Sequence, residues 1–80
     1  MDSSSREYMP LQFRLRPAVR LALARRNLSQ NEFARACGLS SGYMSQLLTG
    51  ARCAGPTVRE RMCRVLGMGF DDLFEERRLG

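Results

Sequence analysis

The chain has 80 residues, room for one folding unit, since domains run to about 100–200 residues. A chain this short hides only about 60–70% of its unfolded surface, which leaves no space for a deep catalytic cleft with a scaffold behind it. Its 44% hydrophobic content is that of a globular protein, and a charge of +5 with an isoelectric point near 10.1 favours a polyanionic partner.

Every basic residue is Arg, the better fork for phosphates and guanine edges, although a GC-rich genome would produce the same bias. Residues 70–80 carry −2 and residues 1–69 carry +7, so the basic surface belongs to the front of the chain. Cys37, Cys53 and Cys63 form no C-x-x-C pair and have no His beside them, which argues against a disulfide framework and against zinc. No apolar run approaches the ~18 residues of a membrane span and no signal peptide is visible, so a reducing cytoplasm is the expected home. Nothing suggests a cofactor or a small-molecule ligand.

Residues 1–10 are polar and aperiodic and read as a flexible arm; residues 11–80 form the domain. Residues 11–16 alternate, with Leu11, Phe13 and Leu15 on one side and Gln12, Arg14 and Arg16 on the other. Period two predicts a short strand or extended segment. It either pairs with its copy in a dimer or serves as a lead-in that caps the helical core.

Pro17 opens a first helix to about Arg26, with Val19, Leu21, Ala22 and Leu23 available for the core. Ser29-Gln30-Asn31-Glu32 is a capping box for helix two, which turns Phe33, Ala34 and Cys37 inward and ends at Gly38 in a left-handed cap. Ser40 caps helix three, with Met44, Leu47 and Leu48 inward and Gly50 closing it. Residues 51–55 form a loop, and Pro56 opens helix four, in which Val58, Met62, Val65 and Leu66 recur at helical spacing up to Gly67. Asp71 and Asp72 favour the start of a short fifth helix, with Phe70, Leu73 and Phe74 packing back.

The interval from Gln30 to Thr49 is where this pattern becomes function. Two short helices meeting steeply need a small residue at the crossing, a positive-φ residue at the corner and apolar anchors below. Ala34 and Gly38 supply the first two, and Phe33, Cys37, Leu39, Met44 and Leu47 the anchors.

The run LSQNEFARACGLSSGYMSQLLTGAR resembles the phage repressor/Cro-like helix-turn-helix domains, the XRE family, over about residues 14–76. The resemblance implies an all-α, compact five-helix bundle that binds operator DNA as a two-fold dimer with half-sites one helical turn apart. The alternating N-terminal segment and a loop one residue longer than in the shortest members depart from it.

By position, Gln30 matches the residue that grips a phosphate and braces the reading helix, which spans about residues 40–49 and closes on Thr49. Ser40, Ser41, Gly42, Ser45 and Gln46 match outward base-reading or phosphate positions. The Gln46 amide can fork onto adenine N6 and N7, a Ser41 hydroxyl can donate or accept, and Gly42 reads nothing directly. Ser40 is a helix cap as well. Tyr43 reads either as a phosphate or thymine-methyl contact or as a half-buried residue beside helix one. Where relatives hold a buried Arg–Glu pair, this chain has Leu23 and Leu48, an apolar pair that need not cost stability.

Arg52, just past the reading helix, is the best phosphate or minor-groove candidate. Arg14, Arg16, Arg20, Arg25, Arg26 and Arg35 are a weaker set, read more readily as solvated charges. Arg59, Arg61 and Arg64, with Glu60, are expected to face water or a second subunit. Cys53 reads as an exposed inert thiol, and Cys37 and Cys63 as core.

The reading is therefore a sequence-specific transcriptional regulator, a repressor on a palindromic operator, working as a homodimer on double-stranded DNA. The alternative is a protein-interaction module of the same fold, an antitoxin or adaptor. An enzyme is disfavoured: the chain has no His or Lys, and the acidic pairs Asp71/Asp72 and Glu75/Glu76 are explained as helix ends.

Overall fold

In the computed structural model, which describes residues 11–77, a short strand is followed by five helices and a second strand. The expected arm, residues 1–10, lies outside the described residues. The order is β1 (Gln12–Leu15), α1 (Ala18–Arg25), α2 (Gln30–Ala36), α3 (Ser41–Thr49), α4 (Pro56–Leu66), α5 (Phe70–Leu73) and β2 (Phe74–Arg77).

The helix boundaries follow from local chemistry. Ser29 Oγ accepts from Glu32 N at 3.1 Å while Ser29 N donates to Glu32 Oε1 at 2.8 Å, the reciprocal capping box read from the sequence. This bonding, from the Ser29 amide first and its hydroxyl second, holds the Glu32 carboxyl below the ordinary carboxylate range. Ser40 Oγ caps α3 by accepting from Tyr43 N at 3.1 Å. Gly38 turns the corner after α2 at φ +72°, and a Cβ there would also stand 3.2 Å from Arg61 Nη1. Asn27, at φ +56°, makes the corresponding turn after α1, a position that Asn tolerates better than most residues.

Phe33, Phe74, Met44, Leu47, Met62, Leu73, Val19 and Cys37 are fully buried and tie all five helices and β2 into one core. Each large apolar side chain so buried contributes about 1.5–3 kcal/mol. Burial also pushes the Cys37 thiol up to about 11, with Arg61 opposing. Leu21 departs from expectation: it is 54% exposed, because α1 turns Val19, Ala22 and Leu23 inward and position 21 falls off that stripe. Leu48 is half-buried and packs against the core, and Leu23 is buried within it.

The five expected helices are present, but the all-α expectation is corrected by a two-stranded antiparallel sheet, the first strand of which is the extended segment read from the sequence. β1 pairs with β2 of the same chain, Gln12 opposite Arg77, Phe13 opposite Glu76, Arg14 opposite Glu75 and Leu15 opposite Phe74. Residues 11–16 thus find a partner strand within the chain, and their apolar side, Leu15 and Phe13, packs on the core as a lead-in would. Two ion pairs accompany this register: Arg14 Nε reaches Glu75 Oε2 at 2.8 Å and Arg16 Nη1 reaches Glu75 Oε1 at 3.5 Å. Glu75 is therefore a strand residue that neutralises β1, not a helix-end acid. The Arg16 and Ala54 amides donate to Leu73 O and Phe13 O, which seats the sheet between α5 and the loop before α4.

Four arginines read as solvated also bond to carbonyls at helix ends or in turns, Arg26 and Arg61 while remaining exposed. Arg26 donates to Ala22 O at 3.1 Å and Leu66 O at 2.7 Å, joining the last turns of α1 and α4, where a cation suits the helix dipoles. Arg61 donates to Cys37 O at 3.3 Å. Arg59 donates to Ala54 O at 3.1 Å and lies over the Phe13 and Phe70 rings at 4.9 and 5.6 Å. Arg16 Nε binds Asp71 O at 2.9 Å. Arg64 does face solvent, paired with Glu60 at 3.1 Å. Cys53 is half-buried, with Gln12 Oε1 and Arg77 Nη1 3.9 and 3.7 Å from its sulfur. Among the described residues no helix is long and apolar enough to cross a membrane.

Candidate nucleic-acid interface

The site is built on α3. Met44 and Leu47 are fully buried and pin one side of the helix to the core. The opposite stripe, Ser41, Gly42, Gln46 and Thr49, is exposed, with Ser45 half-buried at its edge. Residues three and four apart share a helix face, so these side chains form one continuous surface about two turns long. Open space surrounds Gly42, which leaves the helix backbone accessible there. Ser40 spends its hydroxyl on the N-cap.

The last turn of α3 carries a second layer. Gly50 takes φ +85° and reverses the chain, a turn that glycine makes without Cβ strain. The reversal folds the following residues back onto the helix: Arg52 N donates to Gln46 O at 3.2 Å, and Thr49 Oγ1 donates to the same oxygen at 3.2 Å. The Arg52 side chain follows. Its Nε donates to Gln46 Oε1 at 2.7 Å, and its guanidinium sits 5.4 Å from the centroid of the half-buried Tyr43 ring. A stacked guanidinium of this kind gains from the ring quadrupole. Arg52 is therefore part of the α3 surface and not a free loop charge.

Four expected site residues, Tyr43, Gln46, Thr49 and Arg52, are thus linked directly. Ser41, Gly42 and Ser45 lie on the same face without joining the hydrogen bonds described, and Gln30 is set apart, half-buried at the first residue of α2. The Gln46–Arg52 bond was not anticipated from the sequence, although a glycine closing the helix four residues after Gln46 is the signal that allows it. Electrostatics favours an anion here. From Phe33 to Arg59 the chain contains Arg35, Arg52 and Arg59 and no acidic residue. In the weaker set, Arg14, Arg16 and Arg26 hold partners within the fold, Arg14 and Arg26 while still exposed, and Arg20, Arg25 and Arg35 are exposed.

Comparison with known proteins places this geometry. The crystal structure of the transcriptional regulator VanUg (form II) superposes with a TM-score of 0.67 at 19% sequence identity, covering 90% of this chain and 93% of that one. Among curated proteins no sequence matches. The family model described as helix-turn-helix domain matches residues 15–76, from the last residue of β1 into β2. Over that span lie the two capped helices, the positive-φ corner at Gly38 and the exposed α3 face, and the chain belongs to the helix-turn-helix domain family.

Proposed function

We propose that the protein is a DNA-binding transcriptional regulator that lays α3 in the major groove. The observation that carries this reading is the Tyr43–Gln46–Arg52 cluster on the exposed face of α3, in a stretch free of acidic residues. A helix fits the major groove, and an amide and a guanidinium are the side chains that bond base edges there. The similarity in fold to a transcriptional regulator supports the same reading.

Gln46 and Arg52 contact base edges; Ser41, Ser45 and Thr49 supply hydroxyls to bases or phosphates. Gln30 and Tyr43 flank the groove, and the Ser40 end of α3 and the bare Gly42 face approach the backbone. The protein acts as a repressor on a palindromic operator, as a homodimer placing one α3 in each of two half-sites about 10 base pairs apart. It works in the cytoplasm, a setting that suits three free cysteines.

Salt dependence of binding tests the reading. A duplex recovered from a random pool should lose affinity linearly in log–log form as salt rises, because each neutralised phosphate releases counterion. Flat, salt-insensitive binding, or no duplex recovered, would favour the adaptor or antitoxin alternative.

A further inference from the structure

We propose that Gln46 and Arg52 act as one cationic, donor-rich reading unit that selects guanine, not the adenine that a lone glutamine amide would fork. This rests on the DNA-reading role of α3 proposed above and specifies the base it takes. The nitrogen Nε of arginine can only donate, so the Gln46 atom 2.7 Å from it is the amide oxygen. The chemistry of the pair therefore fixes the amide: Oε1 is held by Arg52, and the two N–H bonds of Nε2 are left for a ligand.

Arg52 is held at two more points. Its own amide is bound to Gln46 O at 3.2 Å, and its guanidinium stacks 5.4 Å from the Tyr43 ring centroid. Both side chains are exposed. The pair thus offers the Nε2 hydrogens and the terminal Arg52 nitrogens as donors under one positive charge, with one Oε1 lone pair left beside the guanidinium.

Adenine needs a mixed partner. Its N7 accepts but its N6 amine donates, and an amide reads it by giving N–H to N7 and taking N6–H on the oxygen. Here that oxygen keeps one lone pair, but the guanidinium bonded to it at 2.7 Å stands beside the place the amine would occupy, and an amine hydrogen and a cation repel one another. Guanine presents O6 and N7, two acceptors, and both are matched. Cytosine offers only an amine and is disfavoured for the same reason as adenine.

The test is selection with the full-length chain on a duplex pool randomised across the site, with bound sequences compared for wild type, Gln46→Ala, Gln46→Glu and Arg52→Ala. The position read by the pair is the one whose base preference Gln46→Ala abolishes. Wild type should enrich guanine there about tenfold over adenine, the scale of one good bidentate contact. Arg52→Ala frees the amide oxygen and should shift that position towards adenine. Gln46→Glu keeps a partner for Arg52 but replaces the Nε2 donors with a carboxylate that repels guanine O6 and N7, so guanine enrichment should disappear while the fold, followed by circular dichroism, is retained.

Adenine at that position in wild type, or guanine enrichment unchanged by Arg52→Ala, overturns the inference and leaves α3 a DNA reader. A pool with no preferred sequence at all overturns the DNA-reading role itself, and this inference with it.

Discussion

At the residue scale the account turns on side chains whose partners are now assigned. Arg52→Ala and Gln46→Ala should each cost about 1–3 kcal/mol on the selected site and little on unrelated DNA, because both side chains are read here as base contacts. Because the two side chains are bonded to one another, their effects should not add; a double-mutant cycle on the selected duplex checks this. Cys37 belongs to this scale too. Its pKa of about 11 lies above the value near 8.5 of an unfolded thiol. The folded chain keeps a proton that the unfolded chain releases, so this contribution is intact below about pH 8.5 and is lost as pH rises towards 11. In native alkylation, Cys37 should react after Cys53, read by mass spectrometry of the modified peptides.

The elements show what a sequence discloses and what it conceals. Both caps and the positive-φ corner at Gly38 were legible, because a helix end depends on residues within four positions of one another. The sheet was legible only by half. Period two marked residues 11–16 as extended, but β2 is a four-residue strand about 60 positions away, and its Phe-Glu-Glu-Arg sequence reads equally well as the end of a helix. What joins them is long-range: Glu75 against Arg14 and Arg16, and Phe74 closing the core. The docked arginines Arg26, Arg59 and Arg61 were concealed for the same reason, since their carbonyl partners at Leu66, Ala54 and Cys37 are set by tertiary packing. Likewise the amide orientation of Gln46 depends on a chain reversal after Gly50, not on its own residue type.

These elements carry a pH signature. The Glu32 carboxylate is stabilised in the folded chain, so its capping contribution is present above the ordinary carboxylate range and is lost as pH falls from there through the lower folded value. Glu32→Gln should retain an acceptor for the Ser29 amide and flatten that part of the acid limb, measured by denaturant unfolding at neutral pH and near pH 3.5. Ser29→Ala and Ser40→Ala should each cost about 1 kcal/mol in the same assay. Phe74→Ala removes a side chain 1% exposed and should cost about 3–5 kcal/mol.

For the whole molecule, the division of labour is clear. One side of α3 is spent on the core through Met44 and Leu47, and the other is left to Gln46, Thr49 and, through the Gly50 reversal, Arg52. The sheet and the α4–α5 side hold most of the ion pairs and arginine caps, so charge there is largely satisfied within the fold. The most direct measurement is a titration of the isotope-labelled chain with the selected duplex, following backbone amides by NMR. The account predicts the largest shifts between Ser40 and Arg52, with a smaller group at Gln30 and little change along α4. Shifts centred on α4, α5 or β2, with α3 unmoved, would contradict it.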